Sequence, residues 1–185
     1  GNFEEPVTQA TLAVVGAFLG LSRERSDSRR YPAIDPLISW SKYIVDVAQE
    51  LEKMAPGWGK MVHKAKKMLH NGDEIGKRME VVGEEGTALE DLIIYLKAEL
   101  FDFSYLQQNS FDKQDAYCPL ERQIVLFQLV NKCFEKIYRF HDHDEARKYF
   151  LTLQNQIKNM NFLAYDSDEY RNSFEAVEHL IESGK

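Results

Sequence analysis

Cysteine is scarce in this chain: 185 residues contain two, Cys118 and Cys133. That excludes a disulfide framework and points to reduced, partly buried thiols of a cytosolic protein. Long apolar runs are missing as well. None approaches the roughly 18 residues of a membrane span, so direct membrane insertion is not expected. Positive charge is in deficit, with 23 Lys and Arg against 30 Asp and Glu, a net of −7. Nucleic acid is therefore an unexpected partner, because phosphate binding needs a basic footprint. The opening GNFEEPVTQ is acidic and has no apolar signal core, which gives no sign of secretion. Convincing two-residue alternation, internal repeats and low-complexity tracts are absent too.

Self-contained chemistry is equally thin. GEEG at Gly83 to Gly86 has two glycines but no following Lys-Ser/Thr, so it is not a phosphate cradle. No Ser-His-Asp or Cys-His nucleophile set can be assembled. HDHDE at His141 to Glu145 looks like a metal cluster, yet residues two apart on a helix diverge, and capping explains Asp142 and Glu145. His63 and His70 lack a third ligand and read as solvated helix residues. No metal site is expected.

What the chain does have is helical periodicity over a 44% hydrophobic composition, enough for one core. Asp35 and Pro36 predict the start of a helix carrying Leu37, Trp40, Ile44, Val47, Leu51 and Met54. A short helix after Pro56 carries Trp58, Met61, Val62, Ala65, Met68 and Leu69, with Asn71-Gly72 as its stop. Thr87 and Glu90 predict a capping box before the stripe Leu89, Leu92, Ile93, Leu96, Leu100 and Phe103. Pro119 opens a helix apolar on two faces, through Ile124, Phe127, Val130 and Phe134, then Leu126, Leu129 and Cys133. This helix should be central. Two more run from Asp142 to Met160 and Asp166 to Glu182, each opened by a D-x-x-E box. Before them all, PVTQATLAVVGAFLGL is apolar nearly all round and needs a cover, while SRERSDSRR reads as a charged connector. Residues alone give a cytosolic α-helical bundle.

Three stretches add a resemblance: EEPVTQATL (Glu4 to Leu12), RRYPAIDPLISWSKY (Arg29 to Tyr43) and YLQQNSFDKQDAYCPLERQ (Tyr105 to Gln123). In this order and at these spacings they resemble the C-terminal part of the catalytic A subunits of V-type ATPases and ATP synthases. The likeness runs from about residue 2 to about residue 140 and beyond that is limited to helicity. YPAIDPL is closer to the matching segment of F-type beta subunits.

The resemblance implies an all-α helical bundle, residues 35–185, preceded by a short end of the nucleotide-binding domain and connector, residues 1–34. The phosphate-binding loop, catalytic glutamate and central sheet would lie upstream. This chain alone would then be catalytically inactive, hold no cofactor, and belong to a subunit that binds ATP or ADP with Mg2+. In relatives an adenine ring lies between a connector aromatic, matching Tyr31, and the helical domain, matching Phe111 with Gln108 or Ser110 beside it. A ring stacked on a base contributes about 1–3 kcal/mol. The plainer readings are that Phe111 closes a helix end as a core aromatic and that Gln107 and Gln108 form a solvated turn. GEEGTALED sits where relatives press an acidic turn on the rotating shaft, which nominates Glu84, Glu85, Glu90 and Asp91; a plain solvated loop is the alternative. Implied partners are B subunits in an alternating hexamer, central stalk subunits, and the preceding part of its own subunit. The implied activity is proton- or sodium-transporting rotary ATP hydrolysis or synthesis, peripheral to a membrane and cytoplasmic. The competing reading is a free-standing helical interaction module.

Overall fold

The computed structural model describes residues 4–184, and they fall into two compact units, one up to Gly59 and one from Lys60. In the first unit, α1 spans Pro6–Val14 with Pro6 in its opening turn, where a missing N–H costs nothing. No residue of α1 is buried, and Val7 and Val14 are largely exposed. Past Val15 the apolar stretch leaves the helix. Ala17–Phe18 (β1) pairs antiparallel with Trp40–Ser41 (β2), in the register Ala17 to Ser41 and Phe18 to Trp40. Between them SRERSDSRR is not featureless: Arg23–Asp27 form the short α2, capped by Ser22 Oγ accepting from Arg25 N.

The helix expected from Pro36 begins eight residues later, as α3, Ile44–Met54. Asp35 does cap a turn, its Oδ1 accepting from Leu37 N at 2.8 Å and its carbonyl from Ser39 N. Pairing of Trp40 and Ser41 with β1 then takes the backbone out of the helical path.

The second unit is the bundle. Helix α4, Trp58–Val82, runs straight through Asn71-Gly72, contrary to the expected stop. Gly72 is buried because α5, Leu89–Phe101, passes it closely: a Cβ there would collide with the Cβ of Ala98. The true stop is Gly83, whose φ of +78° favours glycine. Gly72 faces Ala98, Gly76 lies near Tyr95, and Arg78 pairs with Asp91 at 3.1 Å, so α4 and α5 form an antiparallel hairpin. The expected Thr87/Glu90 box does not form. Ala88 occupies the N-cap without a side-chain bond, and Thr87 Oγ1 donates back to Gly83 O at 2.9 Å, tightening the loop instead.

After α5 the backbone widens into a π-helical turn, Asp102–Leu106, closed by Gln107 N donating to Asp102 O. Then follow α6 (Lys113–Ala116), α7 (Leu120–Glu135), α8 (His143–Asn161) and α9 (Asp168–Ser183). Helix α7 is central as expected: Ile124, Leu126, Phe127, Leu129, Val130, Cys133 and Phe134 are all buried. Helix α8 contributes Phe150, Leu153, Ile157 and Met160, one face at helical spacing, and packs on α5 and α9. Asp142 Oδ1 caps α8 through Glu145 N, and Glu145 Oε2 accepts from His141 N, so that box holds. For α9 the cap is Ser167, accepting from Tyr170 N, one residue past the expected Asp166.

Three cations cap helix ends of the bundle, Lys97 and Arg122 buried and Lys136 partly exposed. Lys97 Nζ donates to Phe134 O and Lys136 O at the end of α7. Arg122 Nη2 donates to Met160 O and Asn161 O at the end of α8. Lys136 Nζ donates to Ile181 O and Glu182 O at the end of α9. Each neutralises orphan carbonyls and the negative pole of a helix, which is why a cation is tolerated in an apolar setting. Burial lowers the Lys97 pKa below its ordinary value.

Candidate functional site

The residues from Gln107 to Pro119 connect the π-helical turn to α7 and carry three of the expected base-pocket residues. Two aspartates shape this connection. Asp112 Oδ1 accepts from Gln114 N and Asp115 N, both at 2.9 Å, and so starts α6. Asp115 Oδ2 accepts from Asn109 N at 2.6 Å, while Asp115 O accepts from Gln108 Nε2 at 3.1 Å. Asn109 Oδ1 in turn accepts from Phe111 N at 3.0 Å. Burial raises the Asp115 pKa, against the pull of the Asn109 amide and the Arg122 guanidinium.

Phe111 is therefore held on a well-bonded loop with its side chain 96% exposed. The reading of Phe111 as a core aromatic is excluded; Tyr105 and Phe127 do that work, Tyr105 stacking on Phe101 at 5.2 Å. Gln108 and Ser110 are exposed beside it. Tyr31, in the first unit, is half-exposed with its hydroxyl 3.4 Å from Ser26 O.

Beneath the loop lies a cleft of about 190 Å³ lined by Tyr105, Leu106, Gln108, Asp115, Arg122 and Asn161, among others. Burial pushes the Tyr105 hydroxyl up to about 12 and raises the Cys118 thiol at the cleft's edge. At its inner side Arg122, 1% exposed, donates through Nη1 to Gln114 O at 3.1 Å and through Nη2 to the end of α8. Sequence reading missed Arg122. Its signal was an arginine at spacings of four and seven from Leu126 and Leu129, on a face otherwise apolar.

The acidic hairpin tip is more divided than its composition suggests. Arg147 of α8 grips Glu84 through Nε (2.9 Å to Oε1) and Nη2, a two-pronged pair that raises the Arg147 pKa. His143 Nε2 lies 2.8 Å from Thr87 O, so this nitrogen carries a proton. Asp91 is engaged with Arg78, whereas Glu85 and Glu90 are exposed. Exposed Val81 and Val82 adjoin them. His63 and His70 are exposed, and among the described residues no group of three or more His, Cys, Asp or Glu is placed to hold a metal ion. Likewise no described helix is long and apolar enough to cross a membrane.

Residues 49–150 match the profile of the family described as the C-terminal domain of V and A type ATP synthase. The V-type ATP synthase alpha chain of Protochlamydia amoebophila (strain UWE25) is 66% identical over 182 residues, covering 98% of this chain and 31% of that protein. Its counterpart in Chlamydia pneumoniae is 60% identical over 182 residues with the same coverage. The alpha chain of Chlamydia trachomatis serovar L2 is 58% identical over 183 residues, 99% of this chain and 31% of that protein. Among solved structures, a unique ATP synthase subunit NeqB from Nanoarcheaum equitans superposes with a TM-score of 0.59 at 20% identity, over 74% of this chain and 32% of that one. At that identity the likeness speaks for the fold. The chain spans 31% of the length of the alpha chains it matches. Those matches continue past residue 140, so the sequence likeness is wider than the quoted stretches indicated.

Proposed function

This chain belongs to the C-terminal domain family of V and A type ATP synthases, and from that premise we propose that it completes the base side of a nucleotide site and carries motion to a rotating shaft. A helical domain of the catalytic A subunit is what the family assigns, and a free-standing interaction module has no support beside it. The subunit around this domain would bind ATP or ADP with Mg2+ in its preceding part, with residues 1–34 as the connector end of that part. The domain would sit in a hexamer alternating with B subunits, peripheral to the membrane on the cytoplasmic side. Hydrolysis or synthesis there would be coupled to proton or sodium transport. No residue of this chain would perform phosphoryl chemistry, which needs a phosphate cradle and Mg2+. ATP hydrolysis by a clean preparation of the chain alone would refute that division of labour.

The observation that carries the base-pocket reading is Phe111: an aromatic ring left 96% exposed on a loop fixed by Asn109, Asp112 and Asp115. Gln108 and Ser110 would meet the polar edge of the base without adding charge, and the resemblance separately nominates Tyr31, of the connector, for contact with a base. In the intact subunit, Phe111→Ala should weaken ATP binding by about fivefold or more, the equivalent of one stacked ring, while melting temperature changes little. A large melting shift with unchanged affinity would sink the reading.

At the other end, Glu85 and Glu90 are the free carboxylates of the tip, and Glu84 and Asp91 hold its shape through Arg147 and Arg78. The α4–α5 hairpin would lean on the shaft through the first pair and transmit the swing of the domain through its stiff helices. Replacing Glu85 and Glu90 by Gln should lower shaft affinity and flatten its salt dependence. Unchanged affinity and torque would remove the electrostatic part of this proposal.

A further inference from the structure

We infer that Arg122 is a positioning residue for the base pocket: its buried guanidinium holds the loop from Gln108 to Asp115 in the shape that presents Phe111. This inference rests on reading that loop as the base-binding edge. The path is continuous. Arg122 Nη1 holds Gln114 O at 3.1 Å, and Asp112 Oδ1 binds Gln114 N and Asp115 N. Asp115 then fixes Gln108 and Asn109, and Asn109 fixes Phe111 N. On the other arm, Nη2 is anchored on Asn161 O at 2.5 Å and Met160 O at 3.4 Å. Asn161 itself ties back to Ser104 O in the π-helical turn through Nδ2, at 2.9 Å.

The loop is thus bolted at both ends to the C-terminal end of α8. A rigid planar fork is required, because one group must span two anchors. Lysine would still neutralise the helix end but would release one of them. The Tyr170 ring, 5.4 Å from the guanidinium carbon, closes the remaining side. Lys136 provides the contrast: it caps α9 in the same manner, its Nζ donating to Ile181 O and Glu182 O at the end of that helix, so it offers a cap without a positioning role.

The test uses the intact subunit with Arg122→Lys, Lys136→Met and Phe111→Ala, and measures affinity for ATP, affinity for inorganic triphosphate, and amide exchange at 109–115. Arg122→Lys should weaken ATP binding by about fivefold, leave triphosphate binding within about twofold, and speed exchange at Asn109, Phe111 and Asp115. Lys136→Met should lower the melting temperature without moving the ratio of the two affinities. If Arg122→Lys leaves both the ratio and the exchange unchanged, or Lys136→Met moves the ratio equally, the inference is overturned. If Phe111→Ala alone leaves the ratio unchanged, the base-pocket reading is refuted, and faster exchange in Arg122→Lys still establishes its hold on the loop.

Discussion

Adding one methyl group at Gly72 sets two known effects against each other. In a helix interior, Gly→Ala ordinarily gains about 1 kcal/mol from backbone entropy and propensity. Here the new Cβ would overlap the Cβ of Ala98 on α5, and neither atom can rotate away. The two helices must separate, and such overpacking costs about 1–3 kcal/mol. The collision should win, giving a net loss of about 1 kcal/mol, or about 2–4 °C in melting temperature for a chain of this size. At Gly59, in the first turn of the same helix, a Cβ would face open space, so Gly59→Ala should be neutral or stabilising. Ala98→Gly should relieve the clash, making the double variant less destabilised than the sum of the single ones. Calorimetry on these four variants and the unsubstituted chain decides the matter. Gly72→Ala melting as high as Gly59→Ala, with no coupling to position 98, would refute the close packing.

Leu153 is fully buried on α8, and Leu153→Ala should cost about 2–5 kcal/mol in chemical denaturation. Cys118 is half-buried while burial pushes the Cys133 thiol up to about 12, so alkylation followed by mass spectrometry should modify Cys118 first and Cys133 only on unfolding. Because the Asp115 pKa is raised on folding, the native state holds its proton more tightly than the unfolded chain. Stability should therefore fall as pH rises from about 4 through the native value, and Asp115→Asn should flatten that segment of the profile. Arg147→Met breaks a half-exposed pair with Glu84 and should cost less than about 1 kcal/mol while speeding amide exchange at 83–87.

Periodicity located the bundle because burial there follows a single rule. Leu92, Leu96 and Leu100 share one face, Phe150, Leu153 and Ile157 another, and the two-faced pattern of α7 foretold its central place. Misreadings arose where a residue type serves two physical ends. Gly72 resembled a helix stop, but glycine also permits close helix contact, and only the partner Ala98 distinguishes the two. Thr87 and Glu90 had capping-box spacing, yet Thr87 turns back to Gly83 and tightens the loop. Pro36 and Asp35 marked a turn, and pairing of Trp40 with Phe18, 22 residues earlier, lay beyond any local pattern. Of the nominated site residues, the exposure of Phe111 could not be read from its spacing, because loops lack a period. Arg122 was legible only as an irregularity, a charge on an apolar face.

If Phe111 of this domain packs on a nucleotide base, as proposed, a density map of the assembled complex with ATP bound will show it. The adenine ring should lie within about 4 Å of the Phe111 ring, with the side chains of Gln108 or Ser110 at its polar edge. An adenine seated elsewhere, with Phe111 still in solvent, would contradict it.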